Sequence, residues 1–303
     1  MKEKEIIEFI RKKVKKRKED VIVGIGDDTA VLQYTDEEYL LLTVDCIVEN
    51  VHFKIPDFTY YQIGKKAMAV NLSDIASMGG IPLYAVVSTG IPEGSKKIVS
   101  EILSGIEEMS EKYEFEVVGG NLTKSEILFI DICIVGKVEK KYLKLRKGAK
   151  PGDLIYVTGY LGASQVKKQL DIEPRIKEAR YLVKNFPVSS MIDISDGFSS
   201  DLITLAKESK VGFRIFLDKI PVSDDAKKIS KTNKEAIFHA LNDGEDYELI
   251  FTLPEKYKDK IPEKINSTKI TYVGKITEKR QYTGIYRREK IKITPSGYNH
   301  FYE

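Results

Sequence analysis

The residues most able to do chemistry in this chain are aspartates that interrupt apolar sequence. VGIGDDTAVL (residues 23–32) puts Asp27 and Asp28 between two apolar stretches, with no basic residue close by to pair with them. In LLLTVDCIVEN a period of two sets Leu41, Thr43, Asp45 and Ile47 on one strand face and Leu40, Leu42, Val44 and Cys46 on the other. In GKKAMAVNLSDIASMGG a helical period lines up Asn71, Asp74 and Ser77 among residues suited to packing. MIDISDGFSSDL places Asp193 and Ser195 on one strand face, with Asp196 and Gly197 where a helix begins, a junction whose free N–H groups suit phosphate. Ordinary roles compete with these readings. Asp196 fits an N-cap, Asp27 or Asp28 fits a turn, and Asp45 or Asp74 fits a structural ion pair with a lysine. Asp131 in FIDICIV also breaks an apolar strand and is assigned no function.

If the carboxylates converge, two of them about 4 Å apart repel by roughly 4 kcal/mol at an effective dielectric near 20, against a whole-domain stability of about 5–15 kcal/mol. Such a cluster needs cations. Oxygen donors from Asp, Thr and Ser, without His or Cys, select a hard ion, for which Mg²⁺ bridging to phosphate is the common use. No GxxxxGK[ST] loop and no kinase HRD or DFG set occurs. The residues themselves therefore lead to a carboxylate-rich, Mg²⁺-dependent, phosphate-handling enzyme.

The elements that must carry these residues alternate between strand and helix. Residues 3–18 predict a helix whose Ile6, Ile7, Phe9, Ile10 and Val14 pack inward, and its run RKKVKKRK reads as a solvated face. Strands are predicted at 20–25, 39–48, 83–89, 115–119 and 127–138, and helices at 59–78 and 95–112. A polar, basic linker at 140–149, followed by Pro151 and Gly152, separates an N-terminal domain (1–139) from a C-terminal domain (150–303). In the second half the pattern predicts strands at 154–159, 191–195, 212–217, 247–253 and 269–274, with helices near 162–185, 198–209 and 223–240. The class is α/β (α+β). The chain has 303 residues and a net charge of +3, which favours neither a nucleic-acid partner nor an acidic tail. No apolar run is long enough to span a membrane, and the charged start is not a signal peptide, so a soluble cytoplasmic protein is expected. Cys46 and Cys133 read as buried, reduced thiols.

GIGDDTAVL, TVDCIVENVHF, GKKAMAVNLSDIASMGGIPLYAVVSTGIP, VVGGN, RKGAKPGD, IDISDGFSSDL and GEDYELIF occur in the order and approximate spacing of the bacterial and archaeal thiamine-monophosphate kinase family. The chain resembles that family from about residue 20 to its end. The resemblance implies a two-domain fold like that of aminoimidazole ribonucleotide synthetase, its N-terminal strands forming a β-barrel across a homodimer. ATP and thiamine monophosphate would lie between the domains. It further implies Mg²⁺ ligation, at several ions, by Asp27, Thr43, Val44, Asp45, Asp74, Asp193 and Asp196. Nucleotide contacts would come from Gly120, Asn121, Arg146 and Ser195, and substrate contacts from His52, Glu245 and Tyr298, with Asp246 as the alternative to Glu245.

Two positions depart from the family pattern. Asn121 stands where an aspartate ligand is usual and offers an oxygen without charge, and Leu103 stands where some members place an aromatic against the adenine. Relatives that use a reactive cysteine are disfavoured, because the chain begins with a lysine-rich helix and ends GYNHFYE. The rivals left are an ATP-dependent enzyme of the same superfamily with another substrate, and a non-catalytic nucleotide-binding scaffold. The expected reaction is direct in-line transfer of the γ-phosphoryl group to an acceptor phosphate that is already anionic. It needs no strong general base, and no residue reads as a certain catalytic group.

Overall fold

The computed structural model describes residues 3–14 and 18–297. Strands β1 (Val21–Val23), β2 (Ala30–Gln33), β3 (Glu38–Val48), β4 (Ile81–Ile91), β5 (Glu116–Lys124) and β6 (Phe129–Glu139) form one sheet in the order β1-β2-β3-β6-β4-β5. Only the β4–β5 pairing is parallel. A second, eight-stranded sheet contains β7 (Leu154–Thr158), β8 (Ser190–Asp193), β9 (Gly212–Phe216), β10 (Leu249–Leu253), β11 (Lys264–Ile265), β12 (Thr268–Thr277), β13 (Tyr282–Tyr286) and β14 (Glu289–Lys292). Its order is β14-β13-β9-β12-β7-β10-β8, with β11 on β12. Among the described residues neither sheet closes on itself, so no barrel forms within one chain.

The helices are α1 (Glu3–Lys13), α2 (Tyr60–Ser77), α3 (Lys96–Tyr113), α4 (Ile176–Asn185), α5 (Phe198–Glu208), α6 (Asp224–Ile229) and α7 (Asn233–Asn242). Helix α2 starts where its sequence says it should. The Thr59 hydroxyl accepts the Gln62 N–H at 3.2 Å, and the Gln62 side chain accepts the Thr59 N–H at 3.0 Å, satisfying two donors that a helix start leaves open. Helices α2 and α3 cross at two glycines, and a Cβ on Gly64 would lie 2.2 Å from the carbonyl oxygen of Ile102. On Gly105 it would lie 2.1 Å from that of Tyr61. No side chain fits there.

Period-two alternation gives β7 two buried faces. Leu154 and Tyr156 join a core that contains α2, α3, α4 and the first sheet, whereas Ile155 and Val157 join a second core under α5. The first core thus runs through both halves of the chain. The segment 140–149, expected as a polar linker, is pinned at both sides. The Lys144 N–H donates to the Met78 carbonyl and the Met191 N–H donates to the Leu145 carbonyl, each at 3.1 Å, and Leu143 and Leu145 pack against the first core.

Other expectations shift for local reasons. Strands β2, β11, β13 and β14 are short and were not foreseen. Apart from one 3-10 turn at Lys168–Leu170, helix begins only at Ile176, because Gly162 (φ +89°) and Ala163 (φ +58°) take left-handed backbone and Pro174 stops helix upstream. The patch at 223–240 divides in two where Thr232 caps α7 by accepting the Glu235 N–H. Helix α1 ends at Lys13, and the rest of its predicted span includes 15–17, outside the described residues. Its apolar face is not packed, since Ile7, Phe9, Ile10 and Val14 are exposed, and Arg11 holds it to Glu208 at 3.1 Å. Cys46 is exposed and Cys133 half-buried, both as free thiols, so the expected burial is not found. No helix among the described residues is long and apolar enough to cross a membrane. Gly105→Ala is expected to lower the urea unfolding midpoint by an amount equivalent to about 1–3 kcal/mol, through overpacking at the crossing; an unchanged midpoint would mean that the helices do not approach this closely in solution.

Candidate active site

Helix α2 brings a polar stripe into the apolar space between the sheets. Asn71, with no exposed surface, accepts the Asp45 N–H on Oδ1 at 2.9 Å and donates to the Ala67 carbonyl at 3.0 Å. Asp74, one helical turn on, accepts the Thr43 hydroxyl on Oδ2. These bonds fix β3 against α2. Ser73 reaches the other sheet, its hydroxyl donating to Asp193 Oδ2 at 2.6 Å. The buried side of β3 holds Leu41, Thr43 and Ile47, while Leu42, Val44 and Cys46 are exposed, as the period of two requires.

The β1–β2 turn supplies Asp27 and Asp28, and they divide the work. Asp27 accepts the backbone N–H of Arg146, at 3.2 and 3.3 Å, and that of Asp28 at 3.1 Å. Asp28 Oδ1 accepts from Arg146 Nε and Nη2 at 2.8 and 2.6 Å. Its Oδ2 is buried and unpaired among the described residues. Oxygens of Asp28, Asp74 and Asp193 lie within 4.8 Å of one another. The position nearest the cluster, expected for Asp27, is therefore taken by Asp28, because the loop bonds turn Asp27 toward the Arg146 backbone.

Electrostatics at this cluster are unfavourable without a cation. Burial first, then neighbouring carboxylates, raises Asp74 well above its ordinary value, and burial with the Asp28 charge pushes Asp193 up to about 8. Asp27 is raised by burial and by Asp28, with Arg146 opposing. Asp45 faces the cavity, but the protein around it and the charge of Asp131 raise it as well. Asp131 lies on β6 opposite Cys46 and thus acts on the site through its field. Burial works against the Arg146 charge, yet Asp28 and Asp27 hold it firmly protonated. An orphaned buried oxygen, three converging carboxylates and no nitrogen or sulfur donor fit a hard divalent cation.

A cavity of about 610 Å³ opens beside this cluster; Thr43, Val44, Asp45, Arg146, Ser195 and Asp196 all line it. The start of α5 differs from expectation. The N–H groups of Asp196 and Gly197 donate to Asp201 Oδ2, each at 3.1 Å, so a carboxylate of the same helix already takes two donors that had been assigned to phosphate. Asp196 is not the N-cap; that position belongs to Gly197 at φ +116°.

His52 and Glu245 stand at the other end of the cavity, which Gln165, Asp243 and Tyr247 also line. His52 Nδ1 accepts the Val48 N–H at 3.0 Å. Glu245 pairs with Lys66 at 2.7 Å. The alternative, Asp246, does not line the cavity; it points to the segment after β7, where it accepts the Gly162 N–H and the Ser164 hydroxyl. Glu248 is likewise structural. Burial would raise its carboxyl, but Lys168 and Arg175 outweigh burial and hold it at about 2.

The structure does not bring every expected residue here. Leu103 is half exposed on α3, and Gly120 and Asn121 lie on β5, all of whose residues are exposed. Asn121 pairs with Ser88, Ser88 with Asp131 and Asp131 with Cys46, so Asn121 is three strands from β3, roughly 14 Å at ordinary strand spacing. One chain cannot place it on the same cation as Asp74. Tyr298 lies outside the described residues. Sequence reasoning missed Lys66 and Ser73, and left Asp28 without a role. The only available signal for Lys66 and Ser73 was their place in the packed helix that carries Asn71 and Asp74.

The chain as a whole resembles known proteins. Residues 26–138 match the family described as AIR synthase related protein, N-terminal domain, and residues 142–287 match AIR synthase related protein, C-terminal domain. The chain is 36% identical to thiamine-monophosphate kinase of Rhodopirellula baltica, with 92% of each chain covered. It is also 36% identical to the thiamine-monophosphate kinase of Buchnera aphidicola, with 98% of each covered. Among solved structures it resembles AaThiL complexed with AMPPCP and TMP, at a TM-score of 0.85 and 31% identity, over 99% of this chain and 97% of that one. Full-length similarity to these enzymes, on a mixed two-sheet fold with an acidic cavity, establishes that the chain belongs to the thiamine-monophosphate kinase family within the AIR synthase related proteins.

Proposed function

We propose that the protein transfers the γ-phosphoryl group of ATP to the phosphate of thiamine monophosphate, giving thiamine diphosphate and ADP. The observation that carries this reading is a single cavity with the carboxylates Asp28, Asp74 and Asp193 beside Arg146 at one end and His52 with Glu245 at the other. Asp28, Asp45, Asp74 and Asp193 would hold Mg²⁺, with Asp27 and Thr43 supporting the set, Val44 contributing backbone, and Asp196 at its rim. Bound Mg²⁺ would neutralise phosphate charge that the aspartates alone would repel. Arg146 and Ser195 face the nucleotide phosphates, and Arg146 can exchange Asp28 for a phosphate oxygen without losing a charged partner. His52 and Glu245 hold the acceptor molecule. The acceptor oxygen is anionic at neutral pH, so positioning and charge neutralisation suffice for direct in-line transfer.

The fold supports two further parts of this reading. Leu42, Val44, Tyr84, Val86, Val117 and Leu122 on β3, β4 and β5 are exposed apolar residues, more than a monomer ordinarily leaves open. We assign them to a homodimer whose paired sheets form the barrel, and we keep Leu103, Gly120 and Asn121 out of the site that one chain builds. We infer that the domain boundary falls in 140–149, dividing 1–139 from 150–303, although one core spans it; the change of sheet there and the two family matches, ending at 138 and starting at 142, support this. Two free thiols suit a reducing compartment, and the cytoplasm is the proposed location.

Two outcomes test the assignment. Purified protein with ATP, Mg²⁺ and thiamine monophosphate is expected to yield thiamine diphosphate, and Asp74→Asn to lower kcat by at least about 100-fold while melting no earlier than the wild type, since it removes a repelled charge. No product at any magnesium concentration, or an Asp74→Asn variant that unfolds, would count against it. Metal dependence should also follow pH. A carboxyl raised in the folded state contributes stability below its unfolded value and loses it as pH rises through the folded value, here up to about 8 for Asp193. The Tm of the metal-free protein should therefore fall between about pH 5 and about pH 8, and Mg²⁺ should raise Tm more at the upper end. An equal Mg²⁺ effect at both ends would remove these carboxyls from the ligand set.

A further inference from the structure

Lys66 is a lysine with no exposed side-chain surface, on the helix that also carries Asp74. An ammonium at such a position needs partners, because burying an unpaired charge costs far more than a domain can spare. Its partners are specific. Nζ donates to the backbone carbonyl of His52 at 2.6 Å, pairs with Glu245 Oε1 at 2.7 Å, and donates to Gln169 Oε1 at 3.3 Å. It stands 5.4 Å from the centre of the Phe58 ring. Burial lowers its pKa, and the charge and hydrogen bond of Glu245 oppose that. Lys66 precedes Asp74 by two helical turns, roughly 12 Å of rise, so it serves the far end of the cavity rather than the acidic cluster.

The two walls joined by Lys66 belong to different sheets. His52 follows β3, and Glu245 lies in the loop before β10. That loop is strained. Glu245 has φ +53° and Tyr247 φ +48°, left-handed conformations that non-glycine residues rarely adopt and that persist only when surrounding contacts hold them. The Glu245 side chain is 22% exposed and lines the cavity while its Oε1 is held from behind. Gln169 extends the same support, its Nε2 donating to the carbonyl of the cavity-lining Gln165 at 2.8 Å.

We propose that Lys66 is a positioning residue for the acceptor substrate, anchoring Glu245 against the His52 backbone and so fixing the Glu245 wall of the site in which thiamine monophosphate binds. This rests on the proposed phosphoryl transfer and adds a residue that does not touch the reacting atoms. The prediction is selective. Loss of Lys66 should weaken the acceptor and spare the nucleotide, whereas a general loosening of the fold would weaken both.

Calorimetric binding of thiamine monophosphate and of ATP to the full chain tests it, with the wild type, Lys66→Met, Glu245→Gln and the double variant compared, and thermal unfolding recorded for each. Lys66→Met is expected to weaken thiamine monophosphate binding by roughly tenfold or more while changing ATP binding by no more than roughly twofold. The double variant should bind thiamine monophosphate no more weakly than Glu245→Gln alone, because Lys66 acts through Glu245. Wild-type affinity in Lys66→Met, equal loss of both ligands, or losses that add in the double variant would overturn the proposal. If Lys66→Met does not fold, the double variant, whose pair is neutral, is compared with Glu245→Gln on the same criterion; failure of both to fold would make Lys66 a stability residue and overturn it too. A wild type that binds ATP but not thiamine monophosphate would instead bring down the function on which this rests.

Discussion

Repulsion among Asp28, Asp74 and Asp193 is the constraint that the rest of the molecule accommodates. Each carboxylate comes from a different element: the β1–β2 turn, α2 and the end of β8. None could be held so close to the others by its own loop. Arg146 restrains Asp28, Thr43 restrains Asp74 and Ser73 restrains Asp193. Those restraints in turn need α2 to carry polar side chains through an apolar core, which the glycine crossing with α3 and the Thr59–Gln62 cap hold in place. The architecture is thus arranged around a charge density that would otherwise push it apart, the kind of density that a hard cation relieves.

The cavity consequently has two differently built ends. At the acidic end the partners are short hydroxyls and one arginine, which leave oxygens available. At the His52 and Glu245 end the charge is already compensated by Lys66, so the wall there is rigid and nearly neutral. A ligand with phosphate at one end and an organic body at the other fits this division.

How far the sequence could be read depends on whether a position is governed by local periodicity. Thr43 and Asp45 on β3, Asn71 and Asp74 on α2, and Asp193 at the end of β8 were legible because periods of 2 and 3.6 assign faces directly. Asp27 and Asp28 were not separable, since their directions follow from hydrogen bonds to Arg146, more than a hundred residues away. Lys66 was hidden among 49 lysines and arginines, most of which face water. Asn121 differs in another way: its motif is clear, but its distance from β3 across β4 and β6 within one chain is a property of strand order, which no local pattern encodes. The N-terminal helix shows the converse, with a clear amphipathic pattern whose apolar side is left exposed among the described residues.

The shared core has a mechanical meaning. Tyr156, Met191 and Phe251 from the second sheet sit in the same apolar cluster as Met68, Ile75 and Ile134 from the first half. Swinging the halves apart about 140–149 would expose that cluster, at about 2.5 kcal/mol for every 100 Å² of apolar surface wetted. The cavity therefore owes its mouth not to a gap between the halves but to its rim, where Ile7, Glu8 and Arg11 of α1 line it. The two halves are then one cooperative body, and a chain severed at the seam would leave each piece with an apolar wound it cannot close.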